Sequence, residues 1–112
     1  MAYLYLKIMI NTSYPAETIR DDILPSLNLS VTMAAKQLGI SQARFSRILN
    51  GQVGINADMA LRLQLWLGEN GPSAKNWLHL QIKYDLSLAI KNGNFEVQPI
   101  DYLYPKVSHL QR

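Results

Sequence analysis

Cysteine is absent from the 112-residue chain, and no apolar run is long enough to cross a membrane. Without thiols the protein cannot form disulfides, use a cysteine nucleophile or hold a cysteine-based zinc site. A membrane span needs about 20 apolar residues. The apolar start MAYLYLKIMI is shorter, and it lacks the basic beginning and cleavage site of a secretory signal. We therefore expect a cytoplasmic protein without a membrane partner.

Groups suited to catalysis are also sparse. His79 and His109 lie far apart in the sequence, and the adjacent carboxylates Asp21 and Asp22 cannot face each other on a helix. Each Asn-Gly pair follows a predicted helix as a stop signal, not as a loop that cradles phosphate. Since no acid, base and nucleophile come together in this pattern, we expect neither an enzyme nor a cofactor or metal site.

Acidic residues are missing from residues 31 to 55, which carry Lys36, Arg44 and Arg47. Residues 1 to 30 instead hold three carboxylates against two cations. The net charge of +3 is modest, so the position of the positive charge is more informative than its total. A local excess of cations favours a polyanionic partner such as nucleic acid.

The rest of the sequence predicts helices joined by short connections. Proline, serine, asparagine and glycine supply the start and stop signals. We expect five helices: from Pro15 to about Leu24 and ended by Pro25, between Ser30 and Gly39, between Ser41 and Asn50-Gly51, between Asn56 and Gly68, and from Pro72-Ser73 to about Lys91. This pattern predicts an all-α fold.

Two apolar segments lie outside these helices. Phe95 and Val97 alternate like a short terminal strand. Residues 3–10 form either a short strand or a poorly packed extension upstream of a real start at Met9. We expect an N-terminal extension over residues 1–13, a helical domain over residues 14–93 and a C-terminal tail over residues 94–112.

The second and third helices have the layout of a helix-turn-helix. Ala35 is small where two helices cross closely, Gly39 suits a turn with positive φ, and Ile40 is placed to enter the core. The alternative is an ordinary helical hairpin whose polar outer face serves only solubility. The acid-free outer face of the third helix favours DNA recognition over this alternative.

In a helix-turn-helix the third helix enters the major groove, with its apolar side against the core. Base contacts are expected from Gln42, Ala43, Arg44, Ser46 and Arg47; Gln42 suits adenine, and the arginines suit guanine or phosphate. Phosphate contacts are expected from Ser30, Lys36, Ser41, Asn50 and Gln52. A bidentate base contact contributes only about 1–3 kcal/mol of discrimination, so one helix is not enough and we expect a dimer that binds double-stranded operator DNA.

The fifth helix has two apolar stripes on nearly opposite sides. One contains Trp77, Leu80, Tyr84 and Leu88, and one of the two stripes can cover the helical core. The other consists of Leu78, Ile82, Leu86 and Ala89. We expect this second stripe to form a dimer or partner interface. Alternatively, the terminal segment 95–112 folds back over it within one chain.

Several segments resemble one family throughout most of the chain. They are YPAETIRDDIL, LNLSVTMAAKQLGISQARFSRILNG, GINADMALRL and NWLHLQIKYDL. They are similar to the HigA (VapI-type) antitoxins, within the Xre/lambda-repressor-like helix-turn-helix superfamily. The resemblance implies a five-helix lambda-repressor-like DNA-binding domain, acting as a homodimer that represses its own operon and neutralises a HigB/RelE-like ribonuclease toxin. Two other functions stay open: a protein-binding module of the same fold without DNA affinity, and a plain phage-type repressor.

Overall fold

Five helices make up the regular structure of the computed structural model, which describes residues 13–100. The helix α1 has three consecutive segments, Ala16–Thr18, Ile19–Ile23 and Leu24–Leu27; it is followed by α2 (Val31–Leu38), α3 (Gln42–Leu49), α4 (Ala57–Leu67) and α5 (Ala74–Asn92). A short 3-10 turn, Gly68–Asn70, joins α4 to the segment before α5. The predicted all-α fold is confirmed.

The predicted terminal strand is wrong for the described residues. Phe95 and Val97 lie in irregular chain, where they are 69% and 76% exposed. Alternation alone is a weak strand signal, because a strand also needs a neighbouring strand to satisfy its backbone groups. The expectation for residues 3–10 lies outside the described residues. Within residues 13–100, no helix is long and apolar enough to span a bilayer.

The end of α1 also differs from its prediction. Pro25 does not stop the helix, which continues to Leu27 and ends at Asn28 with a left-handed φ of 54°. A π turn over Ile19–Ile23 precedes the proline, and the N–H of Leu24 donates to the carbonyl of Ile19. A π turn is wider than an α turn, which leaves more room beside the ring of a proline that follows it and has no N–H to pair. The helix can therefore accommodate Pro25 and continue.

Side-chain caps fix the starts of the other four helices where the sequence predicts them. The cap oxygens of Ser30, Ser41 and Ser73 each accept the backbone N–H three residues later at 3.1 Å. The side-chain oxygen of Asn56 accepts the N–H of Met59 at 2.9 Å. Each cap satisfies a backbone donor that a helix start leaves without an intrahelical partner.

The turn between α2 and α3 has the predicted helix-turn-helix geometry. Gly39 adopts a φ of 72°. The N–H of Gly39 donates to Lys36 at 3.1 Å, and that of Ile40 donates to Ala35 at 3.1 Å. These bonds close α2 and redirect the chain within three residues, because glycine pays no side-chain penalty in this conformation.

The hydrophobic core joins all five helices. Helix α4 packs against α2 and α5, and α1 packs against α3. The largest side chains that are fully buried include Ile19, Phe45, Ile48, Met59, Leu63 and Trp77. Because these residues come from α1, α3, α4 and α5, the orientation of α3 is set by contacts with most of the domain.

Substitution of Gly39 tests the turn. Gly39→Ala should lower the free energy of unfolding by about 1–2 kcal/mol, because L-residues other than glycine resist left-handed backbone. The new Cβ would also lie 3.0 Å from a guanidinium nitrogen of Arg62. Urea unfolding measures the loss. Gly39→Asn adds the same Cβ but tolerates this backbone better, so it should lose less; an unchanged midpoint for the alanine variant would contradict the assigned strain.

Candidate nucleic-acid interface

Helix α3 has one buried side and one exposed side. Phe45, Ile48 and Leu49 are buried in the core, as the sequence predicts. Gln42 and Arg47 are exposed, and within residues 13–100 Arg47 has no ion-pair partner. The guanidinium of Arg47 is therefore available to a base edge or a phosphate of DNA.

The other predicted contact residues are mostly at the surface. Ser46 is partly buried. The exposed ones are Ser30, Lys36, Ser41, Ala43, Asn50 and Gln52. The hydroxyls of Ser30 and Ser41 already accept N–H groups as helix caps. A phosphate at these helix starts would therefore use the remaining backbone N–H groups.

Arg44 has a partner that the sequence does not predict. Its guanidinium lies 3.2 Å from the carboxylate of Asp58, in the first turn of α4. Arg62, one turn further along α4, also donates to the same oxygen of Asp58, at 2.9 Å. The acid-free stretch of sequence around α3 therefore does not produce an acid-free surface. The i,i+4 spacing of Asp58 and Arg62 was a local signal for their pairing, but nothing local pointed to Arg44.

Arg62 also connects α4 to the helix-turn-helix turn. One of its terminal nitrogens donates to the carbonyl of Leu38 at 2.9 Å and to that of Gly39 at 3.3 Å. Hydrogen bonds from Arg62, followed by those from Arg44, lower the pKa of the Asp58 carboxyl. Asp58 is thus held in its charged form beside α3.

The carboxyl end of α3 is held by Tyr14. The phenol hydroxyl donates to the carbonyl of Leu49 at 2.9 Å and accepts a hydrogen bond from Arg20 at 2.7 Å. The ring of Tyr14 makes an edge contact with Tyr84 of α5, with centroids 5.9 Å apart. Three helices therefore meet at the end of α3.

Gln81 of α5 holds the loop that follows α3. This buried side chain accepts the N–H of Ile55 at 2.9 Å and donates to Asp85 at 2.9 Å. A Cβ on Gly54 would come within 2.9 Å of the Gln81 amide, so the loop backbone passes directly over it. The loop carrying Gln52 is thereby positioned against α5.

The predicted partner stripe of α5 is partly exposed. Ile82 and Leu86 are 57% and 49% exposed, and Ala89 is also exposed. Leu78 instead packs against the core. In the described part of the tail, Phe95 and Val97 are themselves largely exposed. An apolar surface centred on Ile82 and Leu86 is therefore present on the domain.

Similar proteins include antitoxins and virulence-associated proteins. No family profile matches the chain. The chain is 40% identical over 76 residues to Virulence-associated protein I of Dichelobacter nodosus, with 68% of each protein covered. The solved structure of Pseudomonas aeruginosa antitoxin HigA with the higBA promoter matches with a TM-score of 0.67 and 32% identity, over 80% of this chain and 99% of that one. An addiction module antidote protein of the HigA family from Coxiella burnetii matches with a TM-score of 0.67 and 34% identity, over 78% and 96% of the two chains.

The pKa of Asp58 tests the ion-pair cluster. Arg62→Met should raise this pKa toward the ordinary value of an aspartate, because it removes the largest of the interactions that lower it. Arg44→Met should raise it by less. Carboxyl carbon shifts followed by NMR from pH 2 to 6, about the range in which aspartates titrate, measure both. A larger rise for Arg44→Met would contradict the order of the two contacts.

Proposed function

The chain belongs to the HigA (VapI-type) family of helix-turn-helix antitoxins, and on this basis we propose a complete function. We propose that the protein binds the operator of its own operon as a dimeric repressor and neutralises a HigB/RelE-like ribonuclease toxin. Both actions would take place in the cytoplasm. The DNA part is carried chiefly by the exposed polar side of α3 and by the similarity to an antitoxin solved with promoter DNA.

The proposed DNA contact follows from the shape of the helix-turn-helix. Helix α3 is short, basic and exposed on the side away from Phe45 and Ile48. The major groove admits a helix of this kind, and side chains at its start and along its outer side reach base edges. Gln42 and Arg47 have the donor groups for adenine and guanine. Lys36 and the capped starts of α2 and α3 would hold the phosphate backbone.

A dimer is proposed because one copy of α3 can make only a few base contacts. The affinity of a repressor for its specific operator is typically about 10³- to 10⁷-fold higher than its affinity for random DNA. Two copies of α3 in successive major grooves would double the number of contacts. The apolar side chains of Ile82 and Leu86 offer a surface that a second copy could cover, and covering it would remove exposed hydrophobic area from water.

The toxin part of the proposal is supported by family membership and by relatives named as antidote proteins. A plain phage-type repressor with the same domain is the nearest alternative. The two differ in the adjacent open reading frame, since an antitoxin gene should lie beside a gene for a small basic ribonuclease. Copurification of that ribonuclease with this protein, and loss of its RNA cleavage on mixing, would support neutralisation.

The gel shift of DNA upstream of its own gene tests operator binding. Wild-type protein should shift this DNA at low salt. The shift should weaken as salt rises, because binding releases counterions from the DNA and this release is less favourable at high salt. Arg47→Ala should weaken binding by about 1–3 kcal/mol if Arg47 reads a base.

The matched control for Arg47→Ala is Lys75→Ala, which removes the same charge. Lys75 follows Ala74, and the N–H of Ala74 donates to the side chain of Gln64. Gln64 lies six residues after Asp58 on α4. Lys75 is therefore near the end of α4 that is away from α3, and loss of its charge should leave the gel shift unchanged. No shift by the wild type, together with tight binding to the neighbouring toxin, would favour a protein-binding module without DNA affinity.

The proposed dimer face is tested by charge insertion. Ile82→Glu should weaken dimerisation at least about tenfold, because an interface core tolerates an unpaired carboxylate poorly. Sedimentation velocity over a concentration series measures the change. Leu65→Glu is the control, since Leu65 on α4 is 80% exposed and lies outside the proposed face. Dissociation by Leu65→Glu but not by Ile82→Glu would place the interface elsewhere.

A further inference from the structure

Arg44 lies between two competing sets of interactions. It occupies α3 between the exposed Ala43 and the buried Phe45, so its side chain leaves the helix at the edge of the proposed reading surface. Its guanidinium is 3.2 Å from the carboxylate of Asp58, and the two side chains are 33% and 53% exposed. A DNA strand against α3 would offer the same guanidinium a phosphate or a guanine edge.

The contact between Arg44 and Asp58 can be broken without leaving the carboxylate alone. Asp58 also accepts a hydrogen bond from Arg62 at 2.9 Å. Arg62 is anchored in turn by the carbonyls of Leu38 and Gly39, so it stays in place when Arg44 moves. An exposed ion pair of this kind contributes little to stability. Arg44 can therefore leave Asp58 at low cost.

Asp58 also opposes DNA after Arg44 has moved. A phosphate that binds Arg44 would lie close to the carboxylate of Asp58, and the two negative charges would repel. The pKa of Asp58 is lowered by its two arginine partners, so this carboxylate is charged at neutral pH. The acid thus acts on DNA binding twice, first by occupying Arg44 and then by repelling the phosphate.

We propose that Asp58 competes with DNA for Arg44, and that the protein exchanges this internal carboxylate for a DNA group each time α3 engages the duplex. The inference rests on the proposed operator binding. Asp58 then lowers the affinity for DNA by holding Arg44 in place, and Arg62 stabilises the Asp58 carboxylate after Arg44 has left it. If Asp58 acted only by stabilising the start of α4, its loss would destabilise the fold and would not tighten DNA binding.

The test uses Asp58→Asn in the full chain, with binding to the upstream DNA measured by fluorescence anisotropy. Asparagine keeps the shape of the side chain and removes its charge. We expect about two- to fivefold tighter binding per subunit at low salt, the range set by one exposed ion pair. The gain should shrink as salt rises, because exposed charges are screened.

Two controls separate competition from a general change in charge. Glu69→Gln makes the same charge change in the 3-10 turn beyond the far end of α4, and it should leave the affinity unchanged. In an Arg44→Ala background, the gain from Asp58→Asn should be smaller, because the carboxylate then occupies no Arg44 and only its repulsion of nearby phosphate remains; a double-mutant cycle isolates the part that depends on the pair. Equal gains from Glu69→Gln, or an undiminished gain without Arg44, would overturn the inference.

The remaining outcomes are also decisive. If Asp58→Asn unfolds, Asp58→Ser, which also removes the charge and leaves the Asn56 cap in place, replaces it in the same measurements. Unchanged or weaker binding by a folded variant would overturn the inference while leaving operator binding intact. If the wild type binds no DNA, the proposed operator binding fails separately. A variant that then gains binding would still support competition, and one that does not would overturn it.

Discussion

Phe45, Ile48 and Leu49 bury nearly all of their surface against the rest of the domain, and this contact decides what α3 can do. Fully burying a side chain of this size contributes about 1.5–3 kcal/mol, so α3 cannot rotate about its axis without losing much of the stability of a small domain. With its apolar side fixed, Gln42 and Arg47 have to face outward. The proposed DNA surface is therefore a direct consequence of how the core is packed.

The same constraint is reinforced at both ends of α3. Ser41 caps the start of α3. At the end of α3, the hydroxyl of Tyr14 donates a hydrogen bond to the carbonyl of Leu49 and accepts one from Arg20. The loop beyond it is held by the buried amide of Gln81. A helix fixed in this way can present its side chains to DNA with little further ordering, which reduces the entropy lost on binding.

Charges on α4 complete the surface around α3. Arg62 joins the helix-turn-helix turn to Asp58, and Asp58 reaches across to Arg44. The positive end of the α4 dipole also favours a carboxylate in this first turn. One acidic residue thereby stabilises a helix start and moderates the basic surface beside it. The electrostatics of the surface depend on α4 as much as on α3.

Much of the fold could be predicted from local rules. The caps at Ser30, Ser41 and Asn56 and the stop at Gly39 appear where the residues predict them, because each depends on backbone groups within one turn. The helix end predicted at Pro25 is wrong, since the rule for proline assumes α geometry and a π turn precedes this proline. The strand expected at Phe95 and Val97 failed because alternation says nothing about whether a pairing strand is present.

The DNA contacts themselves, the dimer face and the domain boundaries stay predictions, although the exposure of Arg47 and of Ile82 agrees with them. The sequence by itself determined the helices, their caps and the apolar side of α3, because these depend on periodicity and on neighbours a few residues away. Only the tertiary structure decided that Asp58 pairs with Arg44 and that Gln81 accepts the N–H of Ile55. Those partners are 14 and 26 residues apart, and they meet only because the core packs α4 and α5 against the helix-turn-helix and its following loop.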